Sequence, residues 1–201
     1  MARRLPQGRG AVVGVNAQTS NNDSYLFRRG LNYKTSTFGV FPIPQVLTAS
    51  ALTANALRIM YWGSPKTEVQ LDWAKMRVTT LSAGQTFYGC IYVFDSKTRS
   101  LKQVIGSKVT VDCTTTGQKI LPVNVQLYPD LDYWIGGYCT SATPAFGCWV
   151  HTVTNQAISS ALVKAGMTRL PEQLTAKELT QLSTGTVPAI YYVSKTAVDF
   201  M

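Results

Sequence analysis

The chain has 201 residues, 45% hydrophobic and 14% charged, enough apolar content for one buried core and too much for a disordered segment. Its formal net charge of +9 directs attention to acidic protein surfaces or nucleic acid as partners. No stretch reaches the roughly 20 apolar residues that span a bilayer. The first residues, with Arg3 and Arg4, carry no apolar run of the secretory kind, so neither a membrane partner nor export is expected.

The charge is concentrated at the start. Through residue 34, Arg3, Arg4, Arg9, Arg28, Arg29 and Lys34 stand against Asp23 alone, which is +5 of the total +9. Residues 1–36 read as an extended basic arm, rich in Gly, Asn, Gln and Ser, that cannot bury enough surface to fold alone. Its arginines suit charge-assisted bonds to carboxylates on a partner. Val12, Val13 and Val15 are the short apolar stretch able to add to a neighbouring sheet edge. A solvated tail is the alternative. Residues 37–56 follow as a connector, because Pro42 and Pro44 alternate with apolar residues and impose an extended, edge-like path.

From residue 57 to 201 the pattern is that of a β-sandwich domain. Short runs rich in β-branched and aromatic residues occur at 58–62, 71–80, 87–94 and 103–111, separated by GSPKT, LSAGQ and FDSKTRS. In the second run Trp73, Lys75, Arg77 and Thr79 share one face while Ala74, Met76 and Val78, entered by Asp72, form the core face. Further strands are expected at 120–127, 132–140 and 146–153. Their spacing, with no amphipathic helix among them, predicts an all-β fold, a jelly-roll-like antiparallel β-sandwich. Residues 158–182 interrupt the rhythm. Thr175 followed by Glu178 is a capping-box pair that predicts a short helical insertion, and 189–194 returns as a closing strand.

The block from Leu71 to Ser194 resembles the jelly-roll domains of phage virion proteins: capsid decoration (cement) proteins, head fibres and tail receptor-binding proteins. The resemblance lies in the order of features. Met76-Arg77-Val78-Thr79-Thr80 leads through Ser82-Ala83-Gly84 into Gly89-Cys90-Ile91-Tyr92-Val93-Phe94. A long hairpin, the Pro129-Asp130-Leu131-Asp132 turn, Tyr133-Trp134-Ile135-Gly136-Gly137, Leu170-Pro171 and Pro188-Ala189-Ile190-Tyr191 follow. The resemblance implies a virion location after assembly in the host cytoplasm. It also implies the major capsid protein or other virion proteins as partners, and a homo-oligomer, trimer or dimer.

Catalytic signatures are missing. There is no G-x-S-x-G, P-loop or dinucleotide fingerprint. The single histidine, His151, lies in a strand beside Trp149 and reads as structural. Asp130 and Asp132 flank a turn, where carboxylates accept local backbone N–H bonds. Cys90, Cys113, Cys139 and Cys148 show no metal-ligand spacing and read as buried reduced thiols. No catalytic residue, metal or cofactor is expected, and the protein reads as no enzyme. Trp62 and Trp73 are candidates for stacking on sugar rings, with core packing as the alternative. The leading expectation is a capsid decoration protein that binds the outside of a phage head through its arm. A carbohydrate-binding tail or head-fibre module comes second. Nucleic-acid binding comes last, since basic residues in the body are scattered singly.

Overall fold

A computed structural model describes residues 47–65, 67–152, 161–182 and 184–194. The arm, with Arg3, Arg4, Arg9, Val12, Val13, Val15, Arg28 and Arg29, lies outside the described residues.

Apolar alternation decides the strands. In β3 (Val69–Thr80), Ala74, Met76 and Val78 are buried and Arg77 is exposed, as the period of two requires. Leu71 is buried as well, although its parity is opposite. A bulge between Leu71 and Trp73 in the pairing with β7 (Gly117–Leu127) resets the alternation. Trp73 is left half-buried on the outer face. Lys75 shares that face but is only 6% exposed; it is flanked in register by Tyr191 and Ile120, whose side chains share its face.

The connectivity is that of a jelly roll. The remaining principal strands are β1 (Leu47–Ala51), β2 (Leu57–Gly63), β4 (Thr86–Asp95), β5 (Ser100–Gln103), β6 (Val109–Asp112), β8 (Tyr133–Cys139) and β9 (Ala145–Thr152). One sheet, A, runs β1-β9-β3-β7; the other, B, runs β2-β8-β4 followed by β5 and β6 on the same side of β4. Both are antiparallel throughout. Successive strands cross between the sheets except for the β4–β5–β6 hairpin, which is the double Greek-key path of an eight-stranded jelly roll. β13 (Thr184–Pro188) and β14 (Tyr191–Val193) form a closing segment wedged between β9 and β3, pairing with the first and then the second.

Leu47–Ala51, within the stretch read as a connector, is a strand of sheet A paired along its length with β9. Its Thr and Ala residues gave little apolar contrast to reveal it. The 103–111 run is two strands, separated by a turn in which Gly106 has φ +79 and a Cβ would strike the Asn124 carbonyl. Pro122 sits within β7, which among the described residues pairs only with β3 and so can forgo one backbone donor.

Two cores result. The first, between the sheets, gathers Trp62, Met76, Val78, Phe87, Ile91, Ile135, Phe146 and Tyr192. Each large apolar side chain there contributes about 1.5–3 kcal/mol. The second lies on the far face of sheet B, where Leu57, Ile59, Cys90, Tyr92 and Trp134 meet Leu162, Met167, Leu170, Leu174 and Leu179. β8 is buried along its whole length because both of its faces are covered.

Candidate functional site

The residues expected to hold a short helix build a largely extended strap over the second core, with one short helical turn in it. β10 (Ala161–Lys164) pairs with β2 at one side of sheet B, β11 (Gln173–Thr175) pairs with β5 at the other, and β12 (Thr180–Gln181) pairs back on β10. In a flat sheet β11 and β12 would lie about 29 Å apart, from six strand spacings of about 4.8 Å. The chain from Thr175 to Thr180 reaches at most about 17 Å at strand rise. Sheet B therefore curls around the second core until its edges are bridged by residues 176–179.

The capping box at that bridge is present. Glu178 accepts from the Thr175 backbone N–H and hydroxyl, but the helix it opens is a single 3-10 turn, Ala176–Glu178. The extended pairing on either side leaves no room for more. Glu178 also pairs with Lys164. That contact first, and the Thr175 N–H second, hold its carboxyl down at about 2.

The strap is tied down at several points. Met167 N–H donates to the Asn55 carbonyl at 2.8 Å, and Gln103 N–H to the Glu172 carbonyl at 2.8 Å. The Tyr92 hydroxyl donates to the Pro171 carbonyl at 3.1 Å, and the Gln173 side-chain amide to the Ser100 hydroxyl at 2.9 Å. Gly166, with φ +73, makes the turn into the crossing, a conformation that disfavours any side chain.

Between the strap and the β5–β6 turn lies a cleft of about 580 Å³, within the size range of small-ligand sites. Lys108, Lys164, Arg169 and Glu172 line it, with Thr168 and Gln173. Lys108, Arg169 and Glu172 are exposed. The ion pairs among the described residues are Lys102–Asp95 and Lys164–Glu178, so Lys108 and Arg169 are committed to neither. Sequence reading did not find this site. Its cations come from the β5–β6 turn, β10 and the strap, and only the fold brings them together.

The aromatic candidates separate. Trp62 is 7% exposed and packs against Tyr192 in the first core, ring centroids 6.0 Å apart, so its face is not available to a sugar. Trp73 remains half-buried on the outer face of sheet A, on the other side of the sandwich from the cleft. Trp134 is fully buried in the second core.

Several of the groups weighed for chemistry have local partners or are buried. All four cysteines are buried free thiols. Burial pushes Cys90 up to about 11 and Cys148 up to about 12, away from the thiolate that a nucleophile needs, whereas the contact with Cys113 lowers the Cys139 thiol and raises that of Cys113. Asp132 accepts from the Tyr61 hydroxyl at 3.0 Å. Among the described residues no three His, Cys, Asp or Glu side chains gather at one point, and no helix is long and apolar enough to cross a membrane.

Fold and site together define a jelly-roll β-sandwich with a strapped, cation-lined cleft on its second sheet. Comparison with protein-family models and with curated proteins finds no match.

Proposed function

We propose that the protein is a virion structural protein, a decoration protein that binds the outer surface of a phage head and stabilises it through residues 1–36. The observation that carries this reading is the junction of arm and body. The basic arm precedes β1, and β1 pairs with β9 alone among the described residues. Its second edge leaves backbone N–H and C=O groups for strand addition by a neighbouring chain. Arginine-to-carboxylate bonds at the capsid surface supply the attraction, and the major capsid protein and further copies of this chain are the partners. Mixing phage heads with the full chain and with a chain lacking residues 1–30 tests it by co-sedimentation. The full chain pellets with the heads, the shortened chain stays folded in the supernatant, and pelleting of both sinks the reading.

A second reading, a receptor-binding module of a tail or head fibre with the arm as its virion anchor, is favoured by the cleft. Imaging of labelled protein on particles separates the two: a lattice over the head supports decoration, a signal at one vertex supports the fibre.

A further inference from the structure

We propose that the strapped cleft binds an oxyanion carried on a hydroxyl-rich molecule, that is, a phosphorylated or carboxylated saccharide. The inference is independent of how the protein attaches to a particle.

Charge leads to the anion. Three cations from separate elements converge on one cleft, against a single lining carboxylate, Glu172. Lys164 is neutralised by Glu178. Lys108 and Arg169 remain for a ligand, and an arginine fork suits phosphate and carboxylate equally.

Composition of the walls leads to the hydroxyl-rich carrier. Thr168 and Gln173 line the same cleft, and a hydroxyl and an amide both donate and accept, which suits sugar hydroxyls. The apolar residues of the strap, Met167 and Leu170, are buried in the second core, so an apolar ligand would find little to cover. Nucleic acid would require a basic track along the surface, whereas the two uncommitted cations face one cleft.

Pre-organisation lowers the cost of binding. The strap is fixed through Asn55, Tyr92 and Gln103, so little main chain has to order when a ligand arrives. The cleft lies across sheet B from sheet A, and sheet A carries the edge strand that follows the arm. A body held through the arm and β1 would keep the cleft open to solvent.

The test uses the full chain, titrated with glucose 6-phosphate, glucuronate, unsubstituted glucose, inorganic phosphate and a short single-stranded oligonucleotide, and read by NMR shift perturbation. Both acidic sugars bind at least about tenfold more tightly than glucose, an attraction that falls with added salt. Lys108→Gln and Arg169→Gln each weaken them about fivefold or more, in line with loss of a charge-assisted bond. Lys177→Gln, an exposed cation outside the cleft, does not. All three substitutions are at exposed positions, and an unchanged thermal midpoint verifies the fold. Equal binding of glucose, or indifference to both cleft substitutions, overturns the proposal. So does phosphate binding as tightly as the sugar phosphate, because the hydroxyls would then contribute nothing. Preferential binding of the oligonucleotide overturns it in favour of nucleic acid.

Discussion

The Tyr192 hydroxyl donates a 2.7 Å hydrogen bond to the Ser107 carbonyl oxygen across the core. Tyr192 lies on β14 of sheet A, and Ser107 in the break between β5 and β6 of sheet B; they are 2% and 0% exposed. The Ser107 hydroxyl is itself bonded, accepting from the Ile91 N–H at 3.0 Å and donating to the Val104 carbonyl at 2.7 Å. The break in the β5–β6 edge is thus a buried polar junction between the sheets.

Tyr192→Phe removes the donor and leaves the Ser107 carbonyl without it. A buried bond of this kind is worth about 1–3 kcal/mol when one partner is deleted. Urea unfolding is expected to give an unfolding free energy lowered by that amount, seen as a lower midpoint with an unchanged m-value. A loss below about 0.5 kcal/mol would mean that water replaces the hydroxyl.

Gly136 and Gly137 in β8 are required for backbone approach. A Cβ at Gly136 would overlap the Arg58 carbonyl oxygen of β2, and one at Gly137 the Tyr88 carbonyl oxygen of β4. Neither obstacle is a side-chain end that can swing away. Gly136→Ala and Gly137→Ala are expected to cost more than about 4 kcal/mol or to yield insoluble chain. Gly147→Ala, whose Cβ would sit at an ordinary 3.6 Å from the Arg77 Cβ, should stay within about 1 kcal/mol of the parent. Comparable soluble yields for all three would refute the crowding at β8.

Much of the sandwich was legible because β3, β4, β8 and β9 carry strong apolar or aromatic runs, and the core face of Ala74, Met76 and Val78 followed from their spacing alone. Three features were not. β1 is a run of Thr, Ser and Ala that becomes a strand only because β9 lies beside it. The bulge at Leu71–Trp73 belongs to the pairing of two strands rather than to either sequence. The Thr175 and Glu178 pair of the strap reads as a helix start, yet Leu170, Leu174 and Leu179 around it are buried in the second core from a largely extended chain. The cleft was illegible for the same reason: Lys108, Lys164 and Arg169 have no common motif, and only the curl of sheet B makes them neighbours.

Two tryptophans considered together in the sequence are expected to behave oppositely. Trp62→Ala removes a side chain that is 7% exposed in the first core, and such truncations cost about 3–5 kcal/mol. Trp73→Ala, half-buried on the outer face of sheet A, should cost much less, about 1–2 kcal/mol at most. Sugar binding at the cleft should survive Trp73→Ala. Loss of acidic-sugar binding in that variant, with its stability intact, would move the site to sheet A.

The contact between Lys164 and Glu178 gives the strap a dependence on pH whose sign is fixed. Glu178 has its carboxyl lowered from 4.5 to about 2 in the folded chain, chiefly by Lys164. A carboxylate with a depressed folded pKa contributes stability that is fully present above its unfolded value and is lost as pH falls through the folded one. The contribution is therefore complete above about 4.5 and disappears toward 2. The Lys164 and Glu178 side chains are 24% and 38% exposed, so solvent screening keeps the effect to about 1 kcal/mol or less. Glu178→Gln should be less stable than the parent near neutral pH, and the gap should close as both are acidified through that window. Hydrogen-exchange protection at Met167 and Leu182, measured relative to the intrinsic exchange rate at each pH, should fall in the variant at neutral pH and in the parent at low pH, because their N–H groups tie the strap to Asn55 and Ala161. A gap that stays constant down to about pH 2 would place the lowered carboxyl elsewhere and leave the bridge at residues 176–179 held by packing of Ala176 and Leu179 alone.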